Sequence, residues 1–187
     1  MMREKREALI KLLKDKDILV RKSASKAIGK LDTKPKIDVL IETFNNGDRL
    51  ARLRAIYAIA DIDDNRTLEP LCLGLKDPEV EVRATAIKSL GKKKNPQTLG
   101  LLVEILDEPI LPLRVLAIES IGEFKDKRAT DIFLSLLNEN NEDILCAAID
   151  ALGKLGDRKA EKYLLLLVSH KSPKIRSKVA LALGNLE

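Results

Sequence analysis

Side chains capable of acid–base, nucleophilic or metal chemistry are few and scattered in this chain of 187 residues. His170 is the single histidine, so a histidine-based metal site or catalytic pair has no second member. The cysteines, Cys72 and Cys146, are far apart, and neither belongs to a CxxC pair. This spacing favours neither a disulfide framework nor a zinc site, and it is typical of a reducing compartment. The sequence therefore predicts no metal, no cofactor and no catalytic residue.

Adjacent carboxylates, which acid–base catalysis could use, occur at Asp63-Asp64 and at Glu142-Asp143. Both pairs fall in polar turns between helical segments, where capping and solvation explain them better. No glycine-rich phosphate-binding loop is present. The N-terminal residues are charged throughout, and no apolar run, including residues 163–168, is longer than six residues, which is too short to span a bilayer. We therefore expect a cytoplasmic protein that is not an enzyme and that has no membrane segment.

The dominant feature of the sequence is an internal repeat of 31 residues. An apolar residue followed by a small one recurs six times without slippage, and four further columns keep the same period. The pairs are Ile28-Gly29, Ile59-Ala60, Leu90-Gly91, Ile121-Gly122, Leu152-Gly153 and Leu183-Gly184. One of the other columns is Arg21, Arg52, Arg83, Arg114, Leu145 and Arg176, and another is Ala24, Ala55, Ala86, Ala117, Ala148 and Val179.

Within each repeat the apolar residues follow helical spacing in two segments separated by a short polar turn. This pattern predicts an all-α protein of six stacked helix pairs, because one pair cannot bury its apolar face alone. The predicted repeats are 1–31, 32–62, 63–93, 94–124, 125–155 and 156–187, in one domain over 1–187. The side chains that are placed to cap the first helix of a repeat are Asp64, Asn95, Asp126 and Asp157. The small residues of the alanine column are expected to let the second helices approach closely.

The repeat resembles the HEAT repeat, and it is closest to the short variety found in phycobilisome lyase subunits. Residues 82–86 (VRATA) and 151–157 (ALGKLGD) carry the resemblance best. It implies a right-handed α-solenoid with first helices on the convex side and second helices on the concave side, which is the usual binding surface. HEAT-repeat hydroxylases bind iron through several His-Glu pairs, and this sequence has none.

Several second-helix positions outside the core columns are apolar where a solvated face would be polar. Exposed apolar patches commonly mark protein interfaces, although these side chains could instead be tucked between neighbouring repeats. The first hypothesis is therefore a non-enzymatic scaffold that binds a peptide or a subunit of another protein on this face. The candidate contact residues are Leu50, Leu53, Tyr57, Glu81, Lys88, Pro112, Val115, Leu116, Glu119 and Cys146.

Two alternatives remain open. The first and last repeats carry net charges of +6 and +4, whereas the middle is neutral to acidic. Nucleic acid or an anionic surface could therefore bind at the basic ends, with Lys22, Lys26 and Lys30 as a local patch. The lyase resemblance also allows an accessory subunit of a lyase-like or maturation enzyme.

Two structural expectations follow from the same columns. Exposure of Val179, Leu183 and Leu186 in the last repeat would permit end-to-end dimerisation. The arginine column favours a structural ladder, with i,i+4 ion pairs at Asp17–Arg21, Asp48–Arg52 and Glu79–Arg83 and partners from adjacent repeats elsewhere.

Overall fold

The computed structural model of the chain describes residues 2–186, including all side chains except those of residues 2–3 and 29–35. Within that part the regular structure is entirely helical. The α-helices are α1 (Met2–Leu12), α2 (Ile18–Asn46), α3 (Arg49–Ala60), α4 (Leu68–Gly74), α5 (Val80–Lys93), α6 (Leu99–Glu104), α7 (Leu111–Glu123), α8 (Thr130–Leu136), α9 (Glu142–Leu155), α10 (Glu161–Leu165) and α11 (Pro173–Gly184). Short 3₁₀ turns lie at Asn65–Thr67, Pro96–Thr98, Ile105–Asp107, Lys127–Ala129 and Arg158–Ala160.

The helices form two compact units. The first unit, Met1–Thr67, contains α1, α2 and α3, and the second, Leu68–Glu187, contains α4 to α11. In the second unit four short first helices alternate with four longer second helices, as the repeat predicts for repeats three to six. The single domain expected over 1–187 stays a prediction.

One expected break between helices is absent. The boundary predicted at residues 31–32 falls inside α2, which runs for 29 residues from Ile18 to Asn46. Later boundaries place an aspartate or asparagine at the capping position, whereas this one has Thr33. Threonine is a weaker helix N-cap than aspartate or asparagine, so the signal that starts a new helix is weakest here.

The predicted caps are confirmed. The side chains of Asp64, Asn95, Asp126 and Asp157 each accept a hydrogen bond from the backbone N–H two residues later, at 2.9–3.0 Å. Each acceptor precedes one of the 3₁₀ turns that lead into a first helix. Asp157 also accepts a bond from the hydroxyl of Thr130 in the preceding repeat, at 2.8 Å. The cap therefore ties neighbouring repeats together as well as starting a helix.

The second helices of the second unit approach one another at small residues. A Cβ added to Gly91 would lie 2.6 Å from Ser120 Cβ, and one added to Gly153 would lie 2.9 Å from Ala182 Cα. The predicted alanine column is buried throughout, and the glycine column also makes close contacts with small residues of the next repeat. Contact this close fixes how α5, α7, α9 and α11 lie side by side.

The arginine column has a structural role, but Arg21 and Arg83 bond to partners other than the predicted Asp17 and Glu79. The predicted Asp48–Arg52 pair stays a prediction. Arg21 donates to the backbone carbonyls of Asp15 and Lys16, while the Asp17 carboxylate caps α2 by accepting from Leu19 N and Val20 N. Asp17 is the N-cap residue, so its carboxylate points at the N-terminus of α2 and does not pair with Arg21. The Arg21 guanidinium instead bonds to the backbone of the preceding turn.

In the second unit the same column links neighbouring repeats. Arg83 bonds to the carbonyls of Asp77 and Pro78 and to Glu108 Oε1, 25 residues further along the chain. Arg114 bonds to a carbonyl of its own repeat and to Glu139 of the next. The expectation of a partner from an adjacent repeat is confirmed for Arg114 but wrong for Arg176, which bonds to the backbone carbonyls of His170 and Lys171 in its own repeat.

The last repeat differs from expectation at one position. Val179, expected to be partly exposed, is fully buried, whereas Leu183 and Leu186 are half-buried. Val179 lies in the alanine column, and its helix α11 packs against α9 and α10. End-to-end dimerisation through this repeat stays a prediction.

Candidate functional site

Most of the predicted contact residues gather on one face of the second unit. Glu81 and Lys88 lie on α5, Pro112, Val115, Leu116 and Glu119 on α7, and Cys146 on α9. All of these except Glu81 line two adjoining cavities. Leu50, Leu53 and Tyr57 lie instead on α3 in the first unit. Leu50 and Tyr57 are 52% and 55% exposed, and Leu53 is half-buried.

The two cavities form one groove across the second helices, which we call the second-helix groove. The first has a volume of about 550 Å³ and is lined by residues of α5, α7 and α9 and by Lys94. The second has a volume of about 430 Å³ and is lined by residues of α7, α9 and α11. Both are lined by Glu119, Ala147 and Asp150, so they are continuous. Volumes of this size are typical of ligand-binding clefts.

Small residues create the space. Gly91, Ser120 and Ala151 bring the second helices together, and all three line the first cavity. Their side chains end at or near Cβ, so they leave a hollow between the longer side chains on either side. Leu116, Val115 and Pro112 supply apolar surface beside it. The groove is thus a consequence of the same small-residue contacts that stack the repeats.

Most of the charges around the groove are paired between consecutive repeats. Lys154 Nζ lies 2.6 Å from Glu123 Oε1, and Lys94 Nζ lies 3.6 Å from the same carboxylate. The hydrogen bond from Lys154 lowers the pKa of Glu123, with a smaller contribution from Lys94. Glu123 therefore stays ionised under ordinary conditions and holds α7 to α9.

Two further pairs connect α9 to α11. Lys178 Nζ lies 2.6 Å from Asp150 Oδ2, and Lys174 Nζ lies 3.1 Å from Asp143 Oδ1. The hydrogen bond to Asp143 raises the pKa of Lys174. All four side chains are at least one-third exposed, so each pair contributes at most about 1 kcal/mol. These pairs set the charge pattern of the groove more than they stabilise the fold.

Three charged side chains of the groove lack such a partner. Glu119 on α7 and Lys88 and Lys92 on α5 are exposed, and none makes an ion pair with any residue the structure describes. Glu119 lines both cavities and therefore lies near the middle of the groove. An unpaired anion in the middle and unpaired cations at one end remain available to a ligand.

The cysteines are poor candidates for chemistry. Cys146, expected on the exposed face, is only 6% exposed, because α9 is covered by neighbours on both sides. Burial raises the pKa of its thiol, and nearby Lys174 only partly opposes this. Cys72 is half-buried, and burial raises the pKa of its thiol too. A raised pKa disfavours the reactive thiolate.

His170 lies at the turn before α11. Its Nδ1 accepts a hydrogen bond from the backbone N–H of Ser172 at 3.1 Å, and its carbonyl accepts one from Arg176. Among the described residues no group of three or more histidine, cysteine, aspartate or glutamate side chains could hold a metal ion. No described helix is both long and apolar enough to cross a membrane.

The sequence-based candidates did not include eight charged residues of the groove: Lys92, Lys94, Glu123, Asp143, Asp150, Lys154, Lys174 and Lys178. A signal for them exists, because Asp150 occupies the same repeat position as Lys88 and Glu119. The basic patch predicted at the other end of the chain has Lys22 and Lys26 exposed on α2, and the Lys30 side chain lies outside the described residues.

The fold and the groove define a helical-repeat protein of the α-solenoid class, and comparison with known proteins agrees. The model for HEAT repeats matches residues 2–60, 37–111, 68–145 and 134–187, so the chain belongs to the HEAT-repeat family. No curated protein sequence matches the chain.

Solved structures with similar folds include natural and designed repeat proteins. The complex of CpcE and CpcF of phycocyanin lyase from Nostoc sp. PCC7120 matches with a TM-score of 0.69 and 20% identity over 80% of this chain. This chain spans 64% of the length of that one. YibA from E. coli matches with a TM-score of 0.61 and 24% identity, covering 97% of this chain and 67% of that one. A designed armadillo repeat protein in complex with the peptide (KR)4 matches with a TM-score of 0.58 and 20% identity, covering 96% and 98%. At these identities the likeness shows the fold.

Proposed function

We propose that the protein is a non-enzymatic interaction module that binds a segment of another protein in the second-helix groove. The observation that carries the proposal is the groove itself, which runs across four consecutive second helices and combines apolar walls with unpaired charges. Protein interfaces commonly combine an apolar centre with a polar rim.

Two of the similar structures support an interaction role. One is a complex between two protein chains, and the other holds a peptide. The exposed side chains of Leu50 and Tyr57 on α3 would supply a second apolar contact for a partner, on the first unit. An accessory subunit of a lyase-like or maturation enzyme would be a special case, in which the partner carries the chemistry.

The experiment is affinity capture from the lysate of the source cell, with and without nuclease, followed by mass spectrometry. The variant is Leu116→Asp, which places a charge in the apolar wall of the groove. The matched control is Leu73→Asp, because Leu73 is 54% exposed on the first helix α4 and lies outside the groove. Circular dichroism checks that both variants keep their helicity.

We expect one stoichiometric protein that the wild type and Leu73→Asp retain and that Leu116→Asp loses. Equal retention by all three proteins would contradict binding in the groove. Identification of the captured protein separates a structural partner from a lyase-like or maturation enzyme.

Binding of nucleic acid or an anionic surface is a second candidate, supported by the exposed Lys22 and Lys26 on α2. It predicts capture of nucleic acid that nuclease removes, and affinity that falls steeply with salt. A Lys22→Glu, Lys26→Glu double variant that keeps full affinity for nucleic acid would contradict it.

A further inference from the structure

Charge pairing in the second-helix groove is incomplete in a way that specifies a ligand. Three carboxylates around the groove, Glu123, Asp143 and Asp150, are each paired with a lysine one repeat further along. Glu119 also lines both cavities, and unlike Asp150 it has no cationic partner among the described residues. Lys88 and Lys92, at the α5 end of the groove, have no anionic partner in the described part of the chain.

Glu119 also has the apolar surroundings that a long basic side chain needs. Val115 and Leu116 precede it by four and three residues on α7, so all three side chains lie on one face of that helix. Leu116 lines the first cavity, and Val115 and Pro112 line the second. The methylene stem of a lysine or arginine can pack on such surface while its charged end reaches the carboxylate.

We propose that the groove binds an extended segment of a protein partner in which an acidic residue contacts Lys88 and Lys92 and a lysine or arginine two residues away contacts Glu119. This inference rests on the proposed function and names the chemistry of the partner. The charges complement the groove, whereas a uniformly acidic segment would meet Glu119 and a uniformly basic one would meet the two lysines.

The spacing follows from the stacking of the helices. Packed helices lie about 8–10 Å apart, and the near-contact of Gly91 with Ser120 places α5 and α7 at the short end of that range. An extended chain advances about 3.3 Å per residue, and every second side chain points to the same face. Residues i and i+2 of the ligand are therefore about 7 Å apart and point to the same face. This separation is slightly smaller than the distance between α5 and α7, and the long charged side chains bridge the difference.

The experiment is selection of a display library of random dodecapeptides on the purified full-length protein. Three variants are selected in parallel: Glu119→Lys, Leu116→Asp and the control Glu104→Lys. Glu104 is exposed on the first helix α6 and lies outside the groove, so it receives the same change of charge at a different face. The affinities of the selected peptides are then measured by fluorescence polarisation.

We expect wild type and Glu104→Lys to select an acidic and a basic residue at positions i and i+2. Glu119→Lys is expected to select sequences in which the basic residue is replaced by an acidic one. Against the wild-type peptide, Glu119→Gln weakens binding by up to about fivefold, the value of an exposed ion pair. Glu119→Lys weakens it by at least about tenfold, because like charges then face each other.

The outcomes separate this inference from the proposed function. If Leu116→Asp abolishes selection but Glu119→Lys selects the wild-type consensus, the groove binds peptides and the assigned charge pattern is wrong. Selected charges at i and i+4 would show a helical ligand and would overturn the extended one. If no peptide is enriched, or if Leu116→Asp selects like wild type, both the groove function and this inference are wrong.

Discussion

Replacing Gly91 by alanine tests the close helix contact that creates the groove. Alanine is the better helix former by about 1 kcal/mol, so the substitution would stabilise an unconstrained helix. In the structure the added methyl group would lie 2.6 Å from Ser120 Cβ and 2.9 Å from Ser120 Cα. The second of these atoms belongs to the backbone, so α5 and α7 must move apart.

The magnitude follows from these opposing effects. Extra atoms in a well-packed contact cost about 1–3 kcal/mol, and a clash with backbone belongs at the upper end. Subtracting about 1 kcal/mol of helix propensity leaves a net loss of about 2 kcal/mol in the free energy of unfolding. For a chain of this size that loss lowers Tm by about 4–8 °C. Opening the contact also widens the groove between the same two helices.

The matched control is Gly184→Ala. Gly184 occupies the same column in the last repeat, but an added Cβ there would meet nothing within 4 Å. Urea denaturation followed by circular dichroism measures the free energy of unfolding of both variants. We expect Gly91→Ala to lose about 2 kcal/mol and Gly184→Ala to be neutral or slightly stabilised. Equal stability of the two variants would refute the claim that the glycine column sets the distance between helices.

Two further predictions concern the turns between repeats. Lys125 has a left-handed backbone with φ of 53°, so Lys125→Gly should raise the free energy of unfolding by about 0.5–1 kcal/mol, measured as a higher urea midpoint; an unchanged or lower midpoint would contradict this. Hydrogen bonds from the Lys159 backbone N–H and the Thr130 hydroxyl lower the pKa of Asp157 in the folded protein. The ionised carboxylate therefore stabilises the fold at pH values above the unfolded-state pKa of about 3.9. This stabilisation is lost as the pH falls through the lower pKa of the folded state. In Asp157→Asn, which keeps a capping oxygen as Asn95 does, the Tm difference from wild type should shrink below about pH 4, and a difference independent of pH would contradict the assignment.

The turns and the repeats were predictable because their signals are local. A cap such as Asp126 needs only the right residue before a helix, and the 31-residue columns reveal which faces are buried. The continuity of α2 was not predicted. The 31-residue period alone places a repeat boundary near Thr33, and the weak capping residue there was not taken into account. Periodicity locates a repeat boundary, but the strength of the cap decides whether the helix ends.

The groove was harder to predict because it depends on distances between helices. The apolar pattern identified Val115 and Leu116, but nothing in it showed that Cys146 would be buried beside them. Nor did i,i+4 spacing reveal the partner of Arg83, which comes from 25 residues further along the chain. In a stack of repeats the nearest neighbour of a side chain is often one repeat away, so helix periodicity alone names the wrong partner.

The same stacking explains where specificity for a partner can reside. Positions that face the neighbouring repeat are constrained to similar residues in every repeat, as in the buried alanine column. The position three residues before the glycine column differs from repeat to repeat: it is Lys88, Glu119 and Asp150 in the groove, and Leu181, which lines neither of the two cavities, in the last repeat. Because Lys88, Glu119 and Asp150 lie on the successive second helices α5, α7 and α9, a bound segment would contact them in that order. Changing one of them alters one contact of the ligand while leaving the stack intact, so the charge order along this column can determine which segment binds.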